Sequence, residues 1–300
     1  MPARTNQIAA ADVVTSLDRE FLRNFDGQVN QLTDILGIAQ PTIMQAGATL
    51  YQYDVVGSLN NSAGTDSSSG TAYVEGDEVA LSKYSLTKTA VGSLTLVPYR
   101  KATTAQAIAK SGFERACIDT DNKMVKHIRA AKVNEFFTFL GTGTGTAPAG
   151  ATLQAALANV NASLDVALEN NDDSADRVVH FVHPMDIASY LGTANVGLAT
   201  LFGMRYLENF LGVNDIIVTA KVTQGTVVAT PAENIRIYGA DFGELSRGDL
   251  DYEVSDSGLI GVHHVGNYAR VSAETNVLTA MTILAEKLPY IVKGTIVPTV

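Results

Sequence analysis

The sequence predicts an α+β fold, and three observations predict it. Residues 111–140 carry the strongest helical pattern in the chain, residues 49–101 alternate as strands do around a Gly/Ser-rich tract, and residues 151–250 mix both patterns.

Composition agrees with a folded protein: 300 residues, 46% hydrophobic and 17% charged, enough for one large domain or two smaller ones. Trp is absent and aromatics reach only 7%, so aliphatic side chains fill the interior. The surface is then rich in Ser, Thr, Asn, Gln and Gly, a profile that suits packing against other protein. The net charge of −10, from 31 acidic and 21 basic residues, disfavours a general electrostatic grip on nucleic acid. Cys117 stands alone in a helical pattern, which excludes an intrachain disulfide and a cysteine metal cage. The start, Met1 to Asn6, lacks the apolar core of a signal peptide, and no run is apolar and long enough to span a bilayer. The expectation is a protein made in a reducing cytosol, with no membrane partner and no cofactor. Asn60 and Asn161 head glycosylation-like triplets that read as chance.

Taken in order, residues 12–36 place Val14, Leu17, Phe21, Phe25, Val29, Leu32 and Leu36 three or four apart. This is one apolar stripe on an amphipathic helix, interrupted by Gly27 and stopped by Gly37. Such an N-terminal stripe needs a groove, on its own body or on a neighbour. Tyr51, Tyr53 and Val55 then alternate with polar residues, as do Leu94 and Leu96, around the loop-like tract from Gly57 to Ala72. Val79 and Leu81 open the return strand, and Pro98 marks an edge or an end. Together these describe a long hairpin, on which Lys83 and Lys88 guard an exposed edge. An isolated two-stranded arm is marginal in water, and the partner surface expected for it is another copy of the chain.

Ser111-Gly112-Phe113-Glu114 has the form of a capping box opening the helix. Phe113, Cys117, Met124, Ile128, Ala131, Phe136 and Leu140 would form its buried face, with Lys123, Lys126, Arg129 and Lys132 opposite. Thirty residues make roughly 45 Å of helix, long for a domain of this size. Gly141, Gly143 and Gly145 read as a terminator and hinge. They lack the Lys-Ser/Thr ending and the preceding strand of a phosphate loop. Beyond lie a helix at 153–168, a strand at 177–182, a short helix at 185–191, strands near 215–220, 226–230 and 234–238, and β-rich sequence at 261–274 and 290–297.

No chemical constellation emerges. His180 and His183, like His263 and His264, read as structural. No Gly-x-Ser-x-Gly is present. Asp249, Asp251 and Glu253 alternate along one face and read as a solvated edge rather than a calcium site. The expectation is no enzyme and no catalytic, metal or cofactor residue.

This order of parts resembles the major capsid proteins of tailed bacteriophages with the Hong Kong 97-type fold. Leu32-Thr-Asp-Ile-Leu-Gly37 with Gly47-Ala-Thr-Leu-Tyr51 looks like the family's passage from arm to extended loop, and Ala107 to Gly112 like its entry to the spine helix. The resemblance implies an N-terminal arm at 1–48, an extended E-loop at 49–101, and a spine helix with the first part of the peripheral domain at 102–150. It further implies an axial domain at 151–250 and a return completing the peripheral domain at 251–300. Arm residues Leu17, Phe21, Phe25, Leu32 and Leu36 and loop residues Tyr51, Tyr53, Val79, Leu81, Leu94 and Leu96 would then touch neighbouring subunits. The implied partners are the chain itself in pentamers and hexamers, a separate scaffolding protein, a portal, decoration proteins, and enclosed DNA held without sequence-specific contacts. Negative charge would limit sticking of DNA to the lumen. Some relatives cross-link a loop lysine to an asparagine; Lys83 or Lys88 with Asn267 or Asn276 would be the pairs to try, though no motif selects them. An encapsulin-like compartment, a tail-tube component, or a cytosolic enzyme with a pocket in 151–250 are the competing readings.

Overall fold

The computed structural model describes residues 18–23, 25, 41–58, 81–191, 199–201, 204–210, 213–246, 248, 250–255 and 257–297. The elements are β1 (Thr42–Gln45), β2 (Thr49–Ser58), β3 (Lys83–Ser93), β4 (Val97–Thr104), α1 (Ala105–Ser111), α2 (Asp119–Leu140), β5 (Gly145–Thr146), α3 (Leu153–Glu169) and β6 (Val178–Val182). Then come α4 (Pro184–Leu191), β7 (Ala199–Leu201), β8 (Met204–Phe210), β9 (Val213–Val218), β10 (Thr226–Pro231), β11 (Ile235–Asp241) and α5 (Gly243–Ser246). The chain ends through β12 (Glu253–Val254), β13 (Ile260–Asn267), β14 (Ser272–Thr279), β15 (Thr282–Ala285) and β16 (Val292–Thr295). They divide into two units, the hairpin unit Ala48–Ser93 and a body formed by the rest.

The long helix is shorter and starts differently than its pattern suggests. α1 begins on Thr104, whose hydroxyl accepts from Ala107 N at 3.3 Å, and ends at Gly112 with φ +81°. Ser111 therefore closes one helix instead of capping the next, and the Ser111/Glu114 box does not form. A π-helical turn, Glu114–Ile118, leads without a break in αR backbone into α2, 22 residues or roughly 33 Å long. This register decides the buried face. Cys117, Val125, Ile128, Phe136 and Leu140 are buried, Met124 and Ala131 half-buried, and Phe113 exposed. Lys132, expected on the solvent side, is buried and reaches Glu135 at 3.0 Å, one turn on. Its long stem carries the ammonium to an acid at the rim.

Phe136 stacks edge-to-face on Phe137 at 5.3 Å and on Phe181 of β6 at 6.0 Å, joining helix to sheet. The second long helix, α3, is set by Thr152, whose hydroxyl accepts from Ala155 N at 3.2 Å. Its stripe of Leu153, Ala156, Leu157, Val160, Leu164 and Leu168 packs with Val182, Ile216, Val218, Val227, Ala229 and Val292.

Three sheets frame the body. The seven-stranded sheet runs β5-β16-β10-β6-β9-β8-β7, the four-stranded one β12-β13-β14-β4, and the three-stranded one β1-β11-β15. Residues 151–250 are therefore not self-contained. Their sheet recruits β16 from the C-terminal stretch and β5 from before α3, while β11 pairs with β1 and β15 instead. Backbone hydrogen bonding between strands distant in sequence overrides that boundary. The expected loop 49–101 likewise runs past the hairpin, because residues 97–101 belong to β4. Pro98 sits on that edge strand, where its missing N–H leaves no gap in a ladder.

Candidate assembly site

The hairpin unit presents an amphipathic ribbon. β2 and β3 pair antiparallel from Thr49↔Ser93 to Ser58↔Lys83, with a bulge at Leu50/Tyr51 that leaves Val91 as the extra residue. Strand alternation then sorts the side chains. Tyr51↔Ala90, Tyr53↔Lys88, Val55↔Leu86 and Gly57↔Tyr84 share one face, and Gln52↔Thr89, Asp54↔Thr87 and Val56↔Ser85 the other. Tyr51, Tyr53, Val55, Tyr84 and Leu86 are each 41–64% exposed, so the apolar face lies open. The Lys88 ammonium stands over the Tyr51 ring at 3.7 Å and near Tyr53 at 5.7 Å, covering part of it. The Tyr84 ring lies over Gly57, where a Cβ would meet it at 2.1 Å. Leu81, next to the far end of the ribbon, is 93% exposed.

The other expected contact residues have different fates. Leu94 is fully buried with Ala240, Phe242 and Ala280, and Leu96 packs against that cluster, so both serve the body's interior. Phe21 and Phe25 are likewise consumed by the chain's own core, in the cluster with Val125, Ile128 and Phe136. Leu17, Leu32, Leu36 and Val79 lie outside the described residues.

An ionic cluster with no signature in the sequence pins the described part of this N-terminal segment. His264 on β13 bonds Asp18 through Nδ1 and faces Asp121 of α2 from Nε2 at 3.3 Å. Asp121 also accepts from Thr275 at 2.9 Å and pairs with Lys101 at 2.6 Å. Burial alone would lower the His264 pKa, but the bonds to Asp121 and Asp18 outweigh it and raise the value to about 9. Burial would raise Asp121, and His264, Lys101 and Thr275 hold it below its ordinary value instead. Two carboxylates, one imidazolium and one ammonium thus sum to zero in a mostly buried site. Residue 18 and residue 264 are too far apart in the chain for any spacing rule to connect them.

The glycine run, expected as a hinge, is closely packed and hydrogen-bonded in this structure. Gly141 ends α2, while Gly143 and Gly145 lie against Ile291 and Pro289, where a Cβ would come within 2.4 Å. Gly143 N bonds Leu140 O, Thr144 N bonds Leu288 O and Gly145 N bonds Ile291 O, which fixes the run in place. Smallness for close approach is what Gly143 and Gly145 supply here. His180 is buried in β6, and burial pushes its pKa down to about 4. Among the described residues no group of acids, histidines and cysteine is arranged to hold a metal, and no helix is long and apolar enough to cross a membrane. A groove of about 590 Å³ within residues 151–250 and Ile296 holds Asp186, whose Oδ2 accepts from Gly225 N at 2.8 Å.

Among the described residues, a long helix lies beside a four-stranded sheet, a second long helix lies on a mixed sheet, and a long two-stranded hairpin completes the architecture. The chain has the Hong Kong 97-type capsid fold. Its solved structural neighbours include the capsid of cyanophage A-1(L), at TM-score 0.55 and 11% identity over 89% of this chain and 93% of that one. The capsid of a native GTA particle matches at 0.54 and 11%, over 99% and 95%. The SrpI encapsulin of Synechococcus elongatus matches at 0.51 and 12%, over 88% of both chains. No protein-family model and no curated protein matches the sequence.

Proposed function

We propose that this chain is the major capsid protein of a tailed bacteriophage, assembling through pentamers and hexamers into an icosahedral shell around packaged double-stranded DNA. The observation that carries the proposal is the open apolar face of the β2/β3 ribbon. A two-stranded ribbon with five large exposed apolar side chains is poorly stabilised alone and gains by lying on another copy. In this reading the ribbon is the E-loop, α2 the spine helix, and residues 251–300 complete the peripheral domain. Residues 151–250, with the strands they recruit, form the axial domain. Phage capsids among the structural neighbours support a structural role, not an enzymatic one, with the virion as its place and the host cytoplasm as the site of assembly. Scaffolding, portal and decoration proteins would be its further partners.

An encapsulin among the neighbours supports a second reading, a shell around a protein cargo. Electron microscopy of the purified chain, alone and co-expressed with its neighbouring genes, tests both. Closed shells or rings of five and six subunits are expected; a uniform monomer or dimer under both conditions would overturn the shell. Shells filled with one host protein and free of DNA would favour the compartment.

A further inference from the structure

One row of side chains crosses the four-stranded sheet. His264 of β13 lies opposite Thr275 of β14, and Thr275 lies opposite Lys101 of β4. Asp121 of α2 stands over this row and meets all three, His264 Nε2 at 3.3 Å, Thr275 Oγ1 at 2.9 Å and Lys101 Nζ at 2.6 Å. The helical residues 18–23 bring a second carboxylate from outside the row. Buried Asp18 bonds His264 Nδ1, and the Phe21 ring stands edge-on to the imidazole at 6.2 Å. The other ionisable groups around the ring are already engaged or held neutral: Arg100 and Asn267 take up Glu274, and burial pushes the Cys117 pKa up.

The two acids depend on His264 unequally. Asp121 keeps Lys101 and Thr275 whatever the state of the ring, whereas no Lys or Arg pairs with Asp18 among the described residues. Serving both carboxylates takes both ring protons. A neutral imidazole has one, so deprotonation turns a ring lone pair towards a carboxylate and leaves a mostly buried site with net negative charge. Asp121 cannot withdraw, because α2 is fixed by Val125, Ile128 and Phe136 in the main core. Asp18 can, on a segment whose Arg19, Glu20 and Arg23 already face water.

We infer that Asp18 and His264 form a proton-dependent latch: residues 18–23 stay docked on the body while His264 carries its proton and undock, with the body still folded, when it does not. Phe21 and Leu22 supply attachment that is independent of pH, and the latch adds the part that a proton controls. The His264 pKa of about 9, raised by the bonds to Asp121 and Asp18 against the effect of burial, puts the docked state at neutral pH and release on the alkaline side. The inference does not depend on the shell reading and applies to the single chain as to an assembled one.

Trypsin reads the state of the segment, because Arg19 and Arg23 are cleavage points within it and cutting there requires local opening. In the full-length chain, with each rate divided by that of a short reference peptide at the same pH, cutting at Arg19 and Arg23 should rise at least about tenfold between about pH 7 and about pH 10. Lys123 and Lys126 of α2 should stay uncut. Asp18→Asn keeps the shape of the contact and removes its charge, since an amide can donate to Nδ1 of the neutral ring, and it should resist cutting at both pH values. His264→Gln should be cut rapidly at both, with circular dichroism showing a folded body; should that variant fail to fold, Asp18→Asn decides. Equal resistance of the wild-type chain at both pH values would overturn the inference, as would an alkaline rise that persists in Asp18→Asn. Cutting in α2 in step with Arg19 would mean that the whole body opens, which also counts against it.

Discussion

Two antiparallel ladders of similar length meet opposite fates in this chain. β13 and β14 pair over eight rungs and are flanked by β12 and β4, so Ile260, Val262 and Val277 go into the main core. β2 and β3 pair over a comparable length with no third strand among the described residues, and Tyr53, Val55 and Leu86 stay more than half exposed. Both ladders have the alternation that builds a buried face. That pattern specifies that a face will be covered, and says nothing of whether the cover comes from the same chain. The first ladder contributes its apolar area to the core; the second leaves its apolar area exposed, which the proposed shell reading assigns to association.

The largest expected effect follows from breaking that second role. Tyr53→Ser with Leu86→Ser removes two apolar side chains worth ~1.5–3 kcal/mol each on burial, which weakens each contact by at least about 100-fold. Sedimentation velocity should show loss of shells while circular dichroism of the body is unchanged; shells of normal yield would mean the ribbon's apolar face is not the contact. The converse change, Phe136→Ala in the body, should cost about 3–5 kcal/mol in chemical denaturation, because it empties a fully buried site between α2 and β6.

A third test sharpens the comparison with pH, since the body holds a buried and a half-buried histidine shifted in opposite directions and the ribbon holds none. His264 binds its proton more tightly folded than unfolded. Its contribution is fully present below about pH 6.5 and lost as pH rises through about 9, up to ~3 kcal/mol. His180 is held neutral in the fold, so stability instead falls as pH drops from about 6.5 towards about 4. A bell-shaped profile of body stability is expected, with His264→Gln flattening the alkaline limb and His180→Val the acidic one. An unchanged alkaline limb in His264→Gln would show that the bonds to Asp18 and Asp121 do not hold the N-terminal segment. The smallest effect is that of Thr152→Ala, which removes the N-cap of α3 and should cost about 1 kcal/mol in thermal unfolding.

The sequence by itself determined the α+β class, the order of elements, the hairpin and both long helices, because those depend on local periodicity and turn chemistry. Alternation at Tyr51, Tyr53 and Val55 marked the ribbon, and the three-and-four spacing from Leu153 to Leu168 marked α3. Tertiary structure alone decided the rest. It placed Phe21, Phe25 and Leu94 inside the body, packed Gly143 and Gly145 against Ile291 and Pro289, and gave β16 and β5 to the sheet of residues 151–250. It also brought Asp18, Asp121 and His264 together. Each of these outcomes depends on which distant strand or side chain arrives opposite, and a long-range contact of that kind leaves no periodic trace in the segments it joins.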